Sequence, residues 1–260
     1  MKKFSSLLVV LLLTLGSFSA QAQVYPRGDV NQDNEVSIAD VTCLINYLLT
    51  GYWPDEPVTP PDSHEYVDLG LPSGTLWATC NIGANVPEEY GDYFAWGETE
   101  PKETYDWSTY KWSTGNYDTL TKYCSKSNYG YNDYTDDKTE LEPEDDAAYV
   151  NWGPSWRMPT RGQQDELREQ CNWMWTTQNG VNGWLVTGPN GNTLFLSAAG
   201  YHNNSSLDYA ELYGFYWSRT LFSGYPSNAY DVDVYSGAVN WSYHSRSYGF
   251  PVRPVRTSQN

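Results

Sequence analysis

The sequence predicts an α+β fold of twisted antiparallel sheets with one main helix and long loops, preceded by a small loop–helix module. From residue 64 onward, short apolar or alternating runs are separated by Gly, Pro and Asn, which is typical of antiparallel strands. These strands do not alternate with helices, which argues against a parallel sheet. A segment rich in proline and acids, residues 52–63, separates this region from the module, residues 23–51.

Composition limits the classes of partner. The formal net charge of −17 makes nucleic acid and anionic membranes unsuitable partners, and it favours divalent cations. The chain contains 12 Trp and 23 Tyr against 7 Phe. Because Trp and Tyr combine an apolar body with a polar tip, they suit surfaces that bind ligands as well as cores.

The first segment, residues 1–22, has the pattern of a signal peptide. Lys2 and Lys3 precede an apolar run over residues 7–13, and Ala20-Gln21-Ala22 supplies the small residues of a cleavage site. The pattern predicts export to the medium, the cell surface or the periplasm. No later apolar run is long enough to span a bilayer, so no transmembrane segment is expected in the mature chain.

Residues 29–40 carry oxygen-bearing side chains at the spacing of a calcium loop. Calcium takes about six to eight oxygen ligands, which such a loop supplies from alternating positions. The predicted ligands are Asp29, Asn31, Asp33, Glu35 through its backbone carbonyl, Ser37 and Asp40. An apolar helical stripe follows, from Val41 to Leu48. The alternative is an acidic turn before an ordinary helix.

The stretch over residues 27–51 resembles one repeat of a type I dockerin, whose calcium loop also ends in Asp and leads into a helix. The resemblance implies a bound Ca²⁺ ion and a cohesin-like protein as a possible partner. A dockerin ordinarily has two such repeats, and one is recognisable here.

Residues 64–260 are expected to form the second domain. The predicted strands are residues 66–71, 75–82, 90–96, 173–177, 183–187, 193–199, 214–220, 229–235, 238–243 and 250–256. Ser236-Gly237 is a plausible turn between two of them. The main helix is expected after Thr160, which forms a capping-box pattern with Gln163. Residues 102–149 show no sustained period, which predicts a long insertion that is functional or mobile.

Several motifs, taken in order, resemble one family. They are Pro72-Ser73-Gly74, Trp77-Ala78-Thr79-Cys80-Asn81-Ile82-Gly83, Tyr90-Gly91-Asp92-Tyr93-Phe94-Ala95-Trp96-Gly97-Glu98-Thr99, Trp156-Arg157-Met158-Pro159-Thr160, Ala198-Ala199-Gly200-Tyr201, Tyr216-Trp217-Ser218 and Val252-Arg253-Pro254-Val255-Arg256. Residues 65–256 thereby resemble the Fibrobacter succinogenes major paralogous domain, common in exported Bacteroidetes proteins. That family looks like part of the C-type-lectin-like superfamily, which implies terminal strands that lie close together. It has no agreed activity, and the triplets that bind sugar through calcium in C-type lectins are absent here.

The C-terminal part of the chain is dense in Tyr, Ser, Asn and Gly. This is the composition of antibody paratopes, in which rigid aromatic rings supply contact area. It predicts a surface that binds glycan or protein. The candidate residues are Tyr225, Tyr230, Tyr235, Trp241 and Tyr243. The alternative is a β-rich domain whose strands merely favour Tyr.

No catalytic constellation is recognisable. Asp231 and Asp233 would share a strand face and could act on a glycoside, although a solvated strand face is the preferred interpretation. His202 and His244 lie in polar, loop-like sequence and are expected to be exposed. The connectivity of the cysteines stays open between a Cys80–Cys171 disulfide and reduced, buried thiols. The four cysteines are Cys43, Cys80, Cys124 and Cys171.

These features predict an exported, non-catalytic protein that binds glycan or protein outside the cell, with a calcium-stabilised module at its N-terminal end. One alternative is a scaffold component that docks through the dockerin-like segment. Another is an enzyme that acts on polysaccharide.

Overall fold

The computed structural model describes residue 36, residues 38–50 and residues 64–257. The chain divides into two compact units, residues 1–61 and residues 62–260. The predicted signal peptide, the predicted linker and most of the predicted calcium loop lie outside the described residues.

The first unit contains helix α1, Ile38–Thr50. Its first turn holds Asp40, which is buried, as is Cys43 in the next turn. Val41 and Leu48, at the two ends of the predicted apolar stripe, are instead exposed. The helix therefore buries a narrow face and presents apolar side chains on its surface.

The expectation of an α+β, C-type-lectin-like domain with one main helix is wrong. Strands account for 36% of the structure and helices for 16%, so the fold is mostly β. The helices of the second unit are short: α2 spans Ala147–Trp152 and α3 spans Arg161–Gln170. Because neither is long enough to form a layer, small sheets and loops enclose the core together. In the described part of the chain, every helix is too short or too polar to cross a membrane.

Small antiparallel sheets form the second unit. Its described strands are β1 Tyr66–Asp68, β2 Thr75–Ala78, β3 Tyr93–Phe94, β4 Asn172–Gln178, β5 Val181–Thr187, β6 Thr193–Ser197, β7 Tyr201–Asn203, β8 Ser206–Asp208, β9 Tyr213–Leu221, β10 Asn228–Tyr235, β11 Ala238–Ser245, β12 Phe250–Pro251 and β13 Val255–Thr257. They pair in the orders β1-β2-β13, β4-β5-β6, β11-β10-β9, β12-β3 and β7-β8. The last strand therefore lies in the same sheet as the first.

The sheet of β9, β10 and β11 lies between two apolar cores. Successive side chains of a strand point to opposite faces, so neighbouring residues of β9 enter different cores. Phe215 and Trp217 pack in one core with Phe250. Tyr216 packs in the other core with Leu167 of α3. This central sheet has one face toward α3 and the other toward β12.

Helix α3 begins with the predicted capping box. The backbone N–H of Gln163 donates to Oγ1 of Thr160 at 3.1 Å, and the backbone N–H of Thr160 donates to Oε1 of Gln163 at 2.9 Å. These bonds satisfy two donors that the start of a helix would otherwise leave unpaired. The Gln164 amide donates to the carbonyl oxygen of Tyr216 at 2.9 Å, which fixes α3 against β9.

The insertion over residues 102–149 is built from turns packed around a small apolar cluster. Its buried members include Tyr105, Tyr110, Leu120 and Cys124. Arg246, in the loop after β11, is fully buried beside this cluster. Its guanidinium donates to the carbonyl oxygens of Lys122, Tyr123 and Pro226 and to the hydroxyl of Tyr110, at 2.8–3.1 Å. This buried cation ties the insertion to the loops on either side of the β10–β11 hairpin.

All four cysteines are free thiols in the structure, so no disulfide joins Cys80 to Cys171. Burial raises the pKa of the Cys171 thiol to about 11, and the nearby Glu166 carboxylate adds to the rise. The thiol therefore stays protonated at neutral pH, where it is a poor nucleophile.

Candidate functional site

One of the six predicted calcium ligands lies within the described residues. Asp40 is buried in the first turn of α1. Burial raises the pKa of the Cys43 thiol, and the negative charge of Asp40 raises it further. The other five ligands lie outside the described residues. Within the described part of the chain, no group of three or more His, Cys, Asp or Glu side chains is placed to hold a metal ion.

The predicted aromatic surface lies on the β10–β11 hairpin and the loop before it. Tyr225, Trp241 and Tyr243 are exposed. The guanidinium of Arg161 lies over the rings of Tyr230 and Trp241, at 4.3 and 4.4 Å from their centroids. The ring of Phe222 stacks on that of Tyr243, with centroids 4.0 Å apart. One face of each of these rings is therefore already covered by protein.

Tyr235, the fifth candidate, lies on the opposite face of the same hairpin. Strand pairing places Trp241 opposite Val232, which packs in the core beside α3. Tyr235 is three residues beyond Val232, so its side chain points the other way. Its ring contacts that of Tyr213 on β9, with centroids 5.2 Å apart. The five predicted residues therefore do not form one continuous surface.

A cavity of about 330 Å³ opens on the face of the sheet to which Tyr235 points. We call it the aromatic pocket. Its lining residues are Tyr201, Tyr209, Tyr213, Phe215, Asp233, His244 and Phe250. Strands β9, β10 and β11 supply its floor, and β7 and the turn after β8 supply Tyr201 and Tyr209. Tyr209 is held at a φ of 60°, a backbone conformation that is uncommon for residues other than glycine.

A carboxylate–imidazole pair, formed by Asp231 of β10 and His244 of β11, lies beside this pocket. Asp231 is 1% exposed, and its Oδ1 lies 2.9 Å from Nδ1 of His244. Its Oδ2 has no hydrogen-bond partner among the described residues. Asp233, two residues along the same face, lines the pocket, and its buried Oδ1 also lacks a partner there. Two buried carboxylate oxygens are thus left unpaired.

Burial and pairing set the charge of this group. Burial raises the pKa of Asp231 to about 6, although the hydrogen bond from His244 opposes the rise. Burial disfavours the charged form of His244, but the hydrogen bond and charge of Asp231 outweigh it and raise the pKa of the imidazole. Burial also raises the pKa of Asp233. The pKa of all three groups is thus raised, by burial for the two carboxyl groups and by Asp231 for the imidazole, so each holds its proton more tightly than in water.

The prediction that His202 and His244 are exposed loop residues is wrong. His202 lies on β7 and His244 on β11, and both side chains are partly buried. The position of the hairpin turn could have predicted that His244 lies next to Asp231. A turn at Ser236-Gly237 pairs Asp231 with Ser242, and His244 is then its diagonal neighbour on the same face.

Comparison with known families gives a match in the N-terminal region of the chain. Residues 27–69 match the Dockerin type I domain. The match includes the predicted calcium loop, helix α1 and strand β1. Dockerin type I domains typically bind calcium, occur in extracellular proteins and bind cohesin partners. The chain matches no curated protein and no solved structure. The comparisons give no evidence for the Fibrobacter succinogenes family or the C-type-lectin-like superfamily.

Proposed function

We propose that the chain is an extracellular docking protein whose dockerin-like segment attaches the second unit to a cohesin-bearing partner in a calcium-dependent manner. The match over residues 27–69 supports this function. The second unit would then be the cargo that docking brings to the partner.

The exposed apolar face of α1 is the observation that carries the proposal. Val41, Leu44, Ile45 and Leu48 follow the spacing of one helix face, and each is between 43% and 67% exposed. Contiguous exposed apolar residues mark interaction surfaces in soluble proteins. A protein partner that covers this face would remove these side chains from water.

Calcium would bind the acidic segment that leads into α1. The side chains of Asp29, Asn31, Asp33, Ser37 and Asp40 and the carbonyl of Glu35 would hold the ion. The carboxylate of Asp40 fits this role because it is buried at the first turn of the helix. Neutralising the loop's acids at the start of α1 couples metal binding to the position of the docking face.

Calorimetry on the full chain tests the calcium step. We expect calcium to bind to the unmodified chain and not to the Asp29→Ala, Asp33→Ala double variant. Unchanged calcium binding in the double variant would reject the assignment of the loop.

A panel of recombinant cohesin domains tests the docking step. We expect binding that is lost in a chelator and weakened about tenfold or more by Leu48→Glu. Leu207→Glu is the matched control, because Leu207 is an exposed leucine on β8 of the second unit. Calcium-independent capture, or equal losses in both variants, would contradict docking through α1.

A second candidate function is recognition of glycan or protein by the exposed rings of the second unit, without catalysis. The free faces of Trp241 and Tyr243 favour it, since both side chains are exposed. A glycan array with the unmodified chain and Trp241→Ala tests this function. Turnover of a polysaccharide that is lost in Asp233→Asn would instead identify an enzyme.

A further inference from the structure

We propose that the aromatic pocket is a binding site for an organic cation that carries N–H donors, such as an alkylammonium or guanidinium group. The pocket lies wholly within the second unit, so this inference is independent of docking.

The first argument is the balance of charge. Among the described residues, no lysine or arginine lines the pocket, whereas Asp233 does. His244, which also lines the pocket, hydrogen-bonds Asp231 through Nδ1. Asp233 forms no salt bridge within the described residues, although His244 and the Asn240 side chain partly offset the effect of burial on its pKa, and the chain as a whole carries a formal charge of −17. An anionic ligand would be repelled, and a cation would be attracted.

The second argument is the unpartnered oxygen of Asp233. Asp233 lines the pocket, and its buried Oδ1 has no hydrogen-bond partner among the described residues. A buried acceptor without a donor costs about 1–3 kcal/mol, and more when it is charged. A cationic ligand with an N–H group supplies the missing donor and a positive charge at once. A quaternary ammonium supplies only the charge.

The third argument is the aromatic wall. The faces of aromatic rings carry negative electrostatic potential, which attracts cations. The rings of Tyr201 and Tyr209 are nearly parallel, at an interplanar angle of 10°, and those of Tyr213 and Phe215 at 14°. Tyr209 is 54% exposed, so part of this wall is open to solvent. Rings beside a carboxylate form the arrangement that favours an ammonium or guanidinium group over a neutral one.

The test measures the binding of small probes to the full chain by ligand-observed NMR titration. The probes are n-butylammonium, agmatine and n-butanol, the last being a neutral analogue of the first. We expect both cations to bind at least about tenfold more tightly than n-butanol. Because the site does not depend on the calcium loop, binding should be the same in calcium and in chelator.

Two variants and a control assign the site. Asp233→Asn keeps the shape of the side chain and removes its charge, and we expect it to weaken binding of the cations about tenfold or more. Tyr209→Asn removes an exposed ring, and asparagine tolerates the positive φ at this position. The variant should therefore weaken binding of the cations without unfolding the chain. Asp137→Asn removes an equal charge at an exposed position outside the pocket and should leave binding unchanged.

Three results would overturn the proposal. One is equal affinity for n-butanol and n-butylammonium, which would indicate an apolar pocket. Another is an equal loss in Asp233→Asn and Asp137→Asn, which would indicate non-specific attraction to an acidic protein. The third is tight binding of a neutral oligosaccharide that Tyr209→Asn abolishes and Asp233→Asn leaves intact, which would make the pocket a sugar site.

Discussion

Replacing Arg246 with methionine tests how the second unit holds its long insertion. The guanidinium is fully buried and forms no salt bridge within the described residues. It is held by acceptors from two separate parts of the chain: the carbonyls of Lys122 and Tyr123 in the insertion, and the carbonyl of Pro226 before β10. Methionine preserves much of the side-chain volume and supplies no donor.

The expected loss follows from the acceptors that become unpaired. Arg246 donates to three carbonyl oxygens and one hydroxyl, that of Tyr110. At about 1 kcal/mol for each buried acceptor, the free energy of unfolding should fall by about 4 kcal/mol. The contacts of the guanidinium with the rings of Trp96 and Tyr110, at 4.9 and 5.2 Å, are lost as well. For a domain of this size, such a loss lowers Tm by about 10 °C.

Chemical denaturation and thermal unfolding measure the change, and limited proteolysis locates it. Arg246→Met should make the insertion over residues 102–149 the first segment to be cut. Arg168→Met is the control, since Arg168 pairs with Asp165 and Glu169 at the surface and should cost less than about 1 kcal/mol. If the free energy of unfolding of Arg246→Met lies within about 1 kcal/mol of that of the unmodified chain, the hydrogen bonds do no more than offset the cost of burying the cation.

Three further predictions concern the cap, one glycine and the buried acid. Thr160→Ala should lower the free energy of unfolding by about 1 kcal/mol in denaturation experiments, because the capping box is lost. Gly188→Ala should lower the free energy of unfolding by more than Thr160→Ala does, because a Cβ at this position would overlap the carbonyl oxygen of Leu69. Thermal unfolding compares the two variants. The pKa of Asp231 is raised to about 6, so the folded state holds the proton more tightly and stability should fall as pH rises from about 4 to 6, by up to about 3 kcal/mol. The raised pKa of His244 contributes stability below its unfolded pKa that is lost as pH rises through the folded value, and Asp231→Asn should flatten the profile.

Local interactions explain what the sequence could predict of the fold. The capping box joins Thr160 to Gln163, and the turn at Ser236-Gly237 joins adjacent strands. Both depend on residues a few positions apart, whose chemistry is readable without the rest of the chain. The calcium loop is a motif of the same kind, and the dockerin match covers it.

Long-range pairing explains what the sequence could not predict. Strand β12 pairs with β3, although Phe250 and Phe94 are far apart in the chain and each strand has two residues. Both strands fall within predicted strand segments, residues 90–96 and 250–256, but neither segment indicates its pairing partner, so the division into small sheets could not be predicted and α3 was given too large a share of the fold. The role of Arg246 was equally hidden, because its acceptors are backbone carbonyls, which every residue carries.

The aromatic pocket combines both cases, and this decides how its parts can be separated by mutation. Its charged part is local, since Asp233 and His244 belong to one hairpin and their shared face follows from its turn. Its aromatic wall depends on long-range packing, because Tyr201 and Tyr209 come from outside the β9–β10–β11 sheet. A change at Tyr209 therefore alters the wall and leaves the hairpin intact, whereas a change at Asp233 alters the charge and leaves the wall intact. Loss of cation binding through both routes, with the fold preserved in each, requires a ligand that contacts the ring and the carboxylate together.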